Sequence, residues 1–404
     1  MCWCLPVIVG FLFVGLPYFV CFVAQWFCGW PDKPGYKKYI EALNPRRIYR
    51  LTFATLDLLK YFQYWKLHFQ IKSWYRNEEN SKHCKKGIVY GRRGNKLDLY
   101  YPPIQNTDEL PPLVVFIYGG AWSTGHRSIY CLLARQMTEE LDAAVVCPDY
   151  CTYPKGNVLM MIQDIADCLI WAQENGQKFS FDKDNIVLVG HSAGAHLGAM
   201  TALFLLDTRE ELVIESKKQQ QILQSIRGVI GMSGVYSIMD HYEHEKKRGI
   251  EYVSCMSRAM NGEKNFPRYS PMHIVQHLSG DKLSKAPRFV LLHGNCDIVV
   301  PVESSTKFYK LFSSLSGNVS LHLLPTVNHT EMVTDLMLST RRFYHPIFRC
   351  IEREFRKLLA LSSVSFTRCI HHRQPVRLRV QHRKRPPPPE PQLPVMKSRL
   401  KKIS

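Results

Sequence analysis

The stretch that decides the fold is Ile186-Val-Leu-Val-Gly190-His-Ser192-Ala-Gly194-Ala, in which an apolar run leads directly into Gly-His-Ser-Ala-Gly. A short, β-branched apolar run predicts a buried strand, and the apolar residues that follow at helical spacing predict a helix. Gly190-x-Ser192-x-Gly194 has the spacing of a nucleophile elbow, a sharp strand-to-helix turn that needs small residues around the serine. Such a turn exposes the serine hydroxyl and places the N–H of Ala193 at a helix N-terminus, where negative charge is stabilised. The sequence therefore predicts a nucleophilic serine at position 192.

The segments around the elbow alternate between strand and helix patterns. Two apolar segments flank Gly91-Arg-Arg-Gly-Asn95, which is a hairpin signature. Further strands are predicted at 113–118, 143–149, 228–232, 289–293 and 320–324, with a helix around 160–173. Strands that alternate with helices after an opening hairpin predict an α/β domain with a mostly parallel central sheet and helices on both faces. We place this domain at residues 87–360.

Two loops that follow predicted strands supply the partners of the serine. A serine hydroxyl is a weak nucleophile at neutral pH, so it needs a base that an acid holds in place. With an elbow of this kind, the acid and then the histidine follow the serine along the chain. Asp297 and His329 each come just after a predicted strand, whereas Asp281 lacks a strand before it. We therefore predict Ser192, Asp297 and His329 as the catalytic residues.

Gly119-Gly120-Ala121 follows the strand at 113–118 and is the expected oxyanion site. A tetrahedral intermediate needs N–H donors for its oxyanion, and glycine lets the backbone approach a ligand closely. We expect these residues to act together with the N–H of Ala193. His196, beyond the elbow, is expected to be a hydrogen-bonded helix residue rather than a second base.

The N-terminal segment is predicted to be a membrane anchor over residues 1–30. Residues 5–24 carry no charge and are long enough to span a bilayer, and Trp26 and Trp30 follow as interface aromatics. A cleaved signal peptide would need a basic first region and a small-x-small cleavage site, and neither is evident. Because Lys and Arg follow the span, the positive-inside rule places the larger, C-terminal part in the cytosol.

Residues 31–86 are predicted to be a basic, aromatic, membrane-proximal helical region. The pattern at 45–76 fits three placements: a helix lying on the membrane, a cover over the active-site mouth, or a helix packed on the core.

The formal net charge of +19 belongs to the two ends of the chain. Residues 1–100 hold 16 Lys and Arg against 6 Asp and Glu, and residues 368–404 hold 11 against 1. Basic flanks beside apolar segments suit an anionic membrane surface, and a near-neutral middle gives no reason to expect nucleic-acid binding. Residues 361–404 are rich in Arg, His and Pro, which predicts a disordered tail.

Cysteine spacing and glycine spacing point away from metals and cofactors. The 13 cysteines include no C-x-x-C pair, which indicates reduced thiols rather than a disulfide framework or a zinc site. Neither a Walker nor a dinucleotide-binding glycine pattern occurs. We expect no metal and no cofactor.

These motifs resemble the α/β-hydrolase superfamily, in particular its hormone-sensitive-lipase-like esterase branch. Many members have His-Gly-Gly at the oxyanion position, whereas here Tyr118 precedes the two glycines. With that departure, the elbow Gly-His-Ser-Ala-Gly-Ala-His looks most like the isoprenylcysteine methylesterases. The similar segments are 95–100, 232–240, 247–249, 269–271 and 293–297.

The resemblance implies an α/β-hydrolase fold and hydrolysis of the α-carboxyl methyl ester of a prenylated cysteine at endoplasmic-reticulum or Golgi membranes. It adds His191 to the expected substrate and oxyanion contacts, beside Gly119, Gly120, Ala121 and Ala193. The Arg that is common after Asp-Tyr in such enzymes is replaced by Cys151, which affects support of the loop near the elbow.

Three alternatives remain open. Kynurenine formamidases share the elbow but are soluble and act on a small, polar amide. The chain also fits a neutral-lipid or xenobiotic esterase of the endoplasmic reticulum. The non-enzyme alternative is an inactive hydrolase fold that serves as a binding module or membrane tether.

Overall fold

An eight-stranded sheet forms the centre of the computed structural model, which describes residues 4–29, 40, 43–103 and 109–367. The strands lie in the order β1-β2-β4-β3-β5-β6-β7-β8. Two pairings are antiparallel, β1 with β2 and β2 with β4, and all the others are parallel. The bounds are β1 Cys84–Tyr90, β2 Asn95–Tyr100, β3 Pro112–Ile117, β4 Ala144–Pro148, β5 Asp182–His191, β6 Ile226–Met232, β7 Arg288–Gly294 and β8 Val319–Leu324.

The central strands are buried on both faces. Consecutive residues of β3, β4 and β6 are buried, not only alternate ones. That pattern is expected where helices cover both sides of a parallel sheet, because side chains alternate between the faces. The prediction of a mostly parallel, doubly covered sheet is confirmed.

The opening hairpin begins earlier than the start predicted at Gly87. Strand β1 pairs with β2 from Cys84 onwards, and a register shift lies between Lys85 and Ile88. Gly87 occupies this bulge with φ +71°, a left-handed conformation that glycine adopts without strain. The glycine therefore interrupts the strand and does not precede it.

The helices of the domain follow the strands in turn. Their bounds are α5 Cys131–Leu141, α6 Val158–Asn175, α7 Ala193–Leu206, α8 Ser216–Ser225, α9 Ile238–Arg248, α10 Met256–Ala259, α11 Pro271–His277, α12 Gly280–Leu283, α13 Glu303–Ser314, α14 Glu331–Thr334 and α15 Tyr344–Thr367. All residues of α7 are buried, as expected for a helix that is apolar on every side. The helix after the elbow is thus a rigid core element.

In the part of the chain before the sheet that the structure describes, four α-helices occur: α1 Cys4–Gly10, α2 Leu16–Gly29, α3 Pro45–Leu59 and α4 Trp65–Arg76. A π-helical turn, Phe11–Gly15, joins α1 to α2, and a 3₁₀ turn, Lys60–Tyr64, joins α3 to α4. The stretch Pro6–Val23 is long and apolar enough to cross a membrane, and only 6% of it is buried. One such helix near an N-terminus is also compatible with a signal sequence.

Helix α3 has one packed side and one exposed apolar side. Its Ile48 and Leu51 form a small cluster with Cys21 of α2, against which Ile250 and Val253 also pack. The opposite side exposes apolar side chains, namely Tyr49, Phe53 and Leu56. Of the three placements predicted for 45–76, packing on the domain therefore applies to one side, and the other remains open to an apolar surface.

By its internal contacts the chain divides into Met1–Ser363 and Val364–Ser404. Helix α15 continues to Thr367, past the predicted start of the tail at 361. The disorder predicted for the remainder, Trp30 of the predicted anchor, and residues 31–39 and 41–42 of the predicted basic region lie outside the described residues.

Candidate active site

Ser192 lies at the turn between β5 and α7 with φ 55° and ψ −121°, a strained conformation for a residue other than glycine. The glycines around it are required by space. A Cβ on Gly190 would lie 2.5 Å from the carbonyl oxygen of Gly194, and one on Gly194 would lie 2.0 Å from that of Ile117. The Ser192 N–H donates to the carbonyl of Met232 at the end of β6 (2.9 Å). The turn therefore projects the hydroxyl at the carboxyl edge of the sheet, as an elbow does.

Ser192, His329 and Asp297 form a hydrogen-bonded line. The distance from Ser192 Oγ to His329 Nε2 is 3.0 Å, and that from His329 Nδ1 to Asp297 Oδ2 is 2.7 Å. Asp297 lies in the loop after β7 and His329 in the loop after β8, so the chain brings together three residues that are far apart in sequence. A histidine held by a carboxylate on one nitrogen is oriented to accept a proton on the other.

The Asp297 carboxylate is fixed on both oxygens. Oδ1 accepts the backbone N–H groups of Val299 and Val300, each at 2.9 Å. Burial by itself would raise the pKa of Asp297, but the charge of His329 and hydrogen bonds from His293 and His329 outweigh burial and lower it below its ordinary value. The group is therefore ionised at neutral pH and able to stabilise an imidazolium.

His191, which the sequence places among the substrate contacts, lies beside the base. Its Nε2–H donates to the backbone oxygen of His329 at 3.0 Å, and the two ring centroids are 4.8 Å apart. Burial, followed by the neighbouring His329, lowers the pKa of His191 to about 3, so the ring is neutral at pH 7. Within the described part of the chain, its side chain does not belong to the cavity wall at Ser192.

The loop after β3 packs directly against the elbow. A Cβ on Gly119 would lie 2.8 Å from the backbone oxygen of His191, which only glycine permits. Gly120 has φ +134° and Ala121 has φ 50°, so the loop turns through left-handed conformations. Among the residues that the structure describes, no hydrogen-bond acceptor faces the N–H of Ala121 or that of Ala193. Both donors are available to an oxyanion.

Trp122 is a part of the site that the sequence-based prediction missed. Its indole Nε1–H donates to His196 Nδ1 at 3.1 Å, and His196 Nε2–H donates to the carbonyl of Tyr269 at 2.8 Å. Burial lowers the pKa of His196 to about 4, which keeps it neutral. His196 is therefore a fully hydrogen-bonded helix residue, and it fixes a tryptophan that lines the cavity. A large aromatic residue directly after Gly-Gly-Ala was the signal in the sequence.

Asp149 supports the same loop through Arg127. The carboxylate pairs with the Arg127 guanidinium and also accepts the Tyr118 hydroxyl at 3.1 Å. The Tyr150 hydroxyl donates to the carbonyl of Tyr118 at 2.8 Å. A guanidinium thus supports the loop near the elbow although Cys151 stands at the position where the resemblance implies arginine.

Ser192 and His329 open onto a cavity of about 580 Å³. Small-molecule sites commonly have volumes of about 300–1,000 Å³. One wall comes from α3, through Leu51, Ala54 and Thr55, and others come from α9, the segment after it, and the loops after β7 and β8. In the described ranges, no cluster of three or more His, Cys, Asp or Glu side chains has an arrangement able to hold a metal ion.

Comparison with known proteins gives the chain's family and its relatives. The BD-FAE family profile matches residues 97–312, which is more than half of the chain. The isoprenylcysteine alpha-carbonyl methylesterase ICME of Arabidopsis thaliana is 33% identical over 254 residues, which cover 62% of this chain and 58% of that protein. Kynurenine formamidase of Salmo salar is 27% identical over 264 residues, which cover 62% of this chain and 76% of that protein.

Among solved structures, esterase B from Lactobacillus rhamnosis has a TM-score of 0.59 at 20% identity, covering 80% of this chain and 98% of that one. This likeness concerns the fold. With a sheet, an elbow and a Ser-His-Asp line of this kind, the chain has the α/β-hydrolase fold.

Within that class, the chain belongs to the BD-FAE family. It is similar to isoprenylcysteine methylesterases and spans 58% of the length of the Arabidopsis relative.

Proposed function

We propose that this protein is a serine carboxylesterase that hydrolyses the α-carboxyl methyl ester of prenylated cysteine at a membrane surface. The observation that carries the proposal is the Ser192–His329–Asp297 line, which opens onto a cavity walled in part by α3. No cofactor takes part.

The reaction uses an acyl-enzyme. His329 Nε2 takes the Ser192 proton as Oγ attacks the ester carbonyl, and Asp297 stabilises the resulting imidazolium. The N–H groups of Ala121 and Ala193 donate to the oxyanion, with Gly119 and Gly120 giving the loop its close approach. The C–O bond to the methoxy group breaks, and His329 gives its proton to the leaving methanol. Water, deprotonated by His329, then hydrolyses the acyl-enzyme and regenerates Ser192.

Three features support a lipidated substrate. The cavity has apolar side chains on its α3 wall, such as Leu51 and Ala54. On the same helix, Tyr49, Phe53 and Leu56 expose apolar surface, and Pro6–Val23 is able to span a bilayer. Helix α3 also carries arginines beside these aromatic residues, and such a combination favours the membrane interface. Relatives named as isoprenylcysteine methylesterases support the same substrate class.

We place the protein at the endoplasmic-reticulum or Golgi membrane with the hydrolase domain in the cytosol. Basic residues follow the apolar span, which supports that orientation. A prenylated cysteine methyl ester, free or at the C-terminus of a lipidated protein, would then meet the cavity at the interface.

The test is turnover by the purified full chain in detergent, with Ser192→Ala in parallel. The substrates are S-farnesylcysteine methyl ester, formylkynurenine and a short p-nitrophenyl ester. We expect preference for the farnesyl ester and loss of all turnover in Ser192→Ala. Preference for formylkynurenine would support the formamidase alternative, and turnover of the short ester alone would reject the prenyl substrate. Folded protein that neither turns over an ester nor reacts with a fluorophosphonate would be a binding module.

A further inference from the structure

A pair of polar side chains, His241 and Glu245, lies in the wall of the Ser192 cavity on helix α9. Their positions i and i+4 place them on one face of the helix. Both are more than nine-tenths buried, with exposures of 7% and 5%. The His241 ring lies beside Trp122, with the centroids 6.3 Å apart, and Trp122 directly follows the oxyanion loop. The pair is therefore part of the reaction chamber and does not take part in the Ser-His-Asp line.

Each of these side chains has one buried polar atom without a partner. Glu245 Oε1 accepts the Ser254 hydroxyl at 2.7 Å, but Oε2 has no hydrogen-bond partner. His241 Nδ1 also has none, whereas Nε2 faces Glu245 Oε1 at 3.7 Å. Buried polar atoms are nearly always hydrogen-bonded, since an unmet one costs about 1–3 kcal/mol. Two such atoms in one cavity wall are therefore candidate contacts for a bound molecule.

Both atoms are suited to accept a hydrogen bond. With the His241 proton on Nε2, which faces the carboxyl group, Nδ1 is left as an acceptor. Glu245 Oε2 accepts when the carboxyl group is ionised, a state that an N–H donor placed at Oε2 favours. Burial raises the pKa of Glu245 to about 8 and, together with the nearby His244, lowers that of His241 to about 3. A bound N–H donor would thus favour the ionised form of Glu245 and remove the desolvation cost of both unpaired atoms.

The reaction determines which part of the substrate reaches this pair. In a methyl ester the leaving group holds only a methyl carbon, so every other recognisable group belongs to the acyl part. In a cysteine ester, the acyl part carries a nitrogen on the α-carbon, next to the reacting carbonyl. That nitrogen has N–H donors whether it is a free ammonium or an amide.

We propose that His241 and Glu245 form a subsite that binds an N–H donor on the α-carbon of the acyl group. The choice of a cysteine ester rests on the proposed function. The subsite makes the enzyme selective for α-amino acid esters over simple carboxylic esters, because an analogue without the nitrogen leaves both acceptors unpaired.

The test compares kcat/KM for three farnesyl methyl esters that differ only at the α-carbon. They are the esters of S-farnesylcysteine, N-acetyl-S-farnesylcysteine and S-farnesyl-3-mercaptopropionate. The same comparison is made with phenylalanine methyl ester and methyl 3-phenylpropionate, which lack the prenyl group. The variants are Glu245→Leu and Glu245→Gln, and the matched control is Glu243→Gln on the exposed side of the same helix.

We expect the wild type to prefer the nitrogen-bearing ester at least about tenfold in each set, which corresponds to about 1.4 kcal/mol. Glu245→Leu should bring this ratio close to one, because kcat/KM falls more for the nitrogen-bearing ester than for the nitrogen-free ester. Glu245→Gln keeps an acceptor oxygen and should keep part of the ratio, and Glu243→Gln should keep all of it. A preference for the S-farnesylcysteine ester would show that the subsite binds an ammonium group. A preference for the N-acetyl ester would show that it binds an amide N–H.

Equal kcat/KM with and without the nitrogen in both sets would overturn the subsite, as would a preference that Glu245→Leu leaves intact. A loss of turnover in Glu245→Leu that is equal for all esters would assign Glu245 a structural role and also overturn it. Failure of the prenyl substrate is a separate result. In that case the farnesyl esters are not hydrolysed, while a Glu245-dependent preference for phenylalanine methyl ester keeps the subsite.

Discussion

His191 offers a test of whether its ring touches the substrate or positions the base. Its Nε2–H is the donor to the backbone oxygen of His329 at 3.0 Å, and both groups are buried. In His191→Ala, that carbonyl loses its partner and the contact between the two rings is lost. We therefore expect kcat to fall while KM stays within about threefold, because ground-state contacts with the substrate are unchanged.

The size of the effect follows from the lost hydrogen bond. Leaving a buried carbonyl unpaired costs about 1–3 kcal/mol. If the loop relieves this cost by moving His329, the 3.0 Å contact with Ser192 is lost. Restoring that contact in the transition state restores the cost, so the activation free energy rises by the same amount. Since 1.4 kcal/mol corresponds to a factor of ten, kcat should fall by about 5- to 150-fold. A displacement of the base by about 1 Å gives a loss of similar size, about 10²-fold.

The assay is steady-state hydrolysis of a p-nitrophenyl ester, with the competent fraction counted by fluorophosphonate titration. His191→Gln provides a conservative variant, because its side-chain amide N–H is able to donate to the same carbonyl, and it should recover part of kcat. A rise in KM with kcat unchanged would refute this reasoning and return His191 to the substrate contacts that the sequence suggests.

Three further predictions concern the acid, the α3 contact and pH. Asp297→Asn should lower kcat by about 10⁴-fold without unfolding the protein, since the amide cannot stabilise the His329 imidazolium; near-normal kcat in a well-folded variant would rule out this role. Arg47→Ala removes the partner of Glu251, whose side chain is 5% exposed, and should lower the free energy of unfolding by about 3–5 kcal/mol. In chemical denaturation the double variant Arg47→Ala/Glu251→Gln should recover most of this loss, and equal stability of the single and double variants would argue against a buried pair. The melting temperature should peak near pH 6.5. Below it, the unfolded chain binds protons that His191, His196 and His241 do not bind in the folded state, because burial lowers their pKa values. Each of these histidines lowers the free energy of unfolding by up to about 1.4 kcal/mol per pH unit. Above it, Glu245, whose pKa is raised to about 8, holds a proton that the unfolded chain has lost, so stability falls as pH rises. A melting temperature that rises steadily from pH 8 to pH 5 would contradict this balance.

Local sequence patterns were sufficient to predict the elbow and the positions of the acid and the histidine. An apolar β-branched run before Gly190 defines a buried strand, and the small residues around Ser192 define the turn, because both depend on neighbours in the chain. Asp297 and His329 were found from their places just after strands, since parallel strands present their carboxyl ends at one edge of the sheet. The structure brings these side chains within hydrogen-bonding distance. Their catalytic roles stay a prediction that the proposed experiments test.

Side-chain directions could not be found in this way. His191 is next to Ser192 in sequence, and the strained turn at Ser192 separates the directions of the two side chains, so that one ring packs behind the base. Trp122 enters the site because Gly120 and Ala121 have positive φ, which no periodicity reveals. Both positions depend on backbone conformations that are stabilised by contacts outside the local segment.

The sequence by itself determined the order of strands and helices, the elbow, and the positions of the serine, acid and base, because each depends on short-range pattern and chain order. Only the tertiary structure decided what surrounds them. It places α3 in the cavity wall through the pairing of Arg47 with Glu251, and it sets His241 and Glu245 beside Trp122. These contacts join residues that lie far apart in the chain. They depend on packing and desolvation between distant segments, and the local pattern of residue types does not show which distant segments will meet.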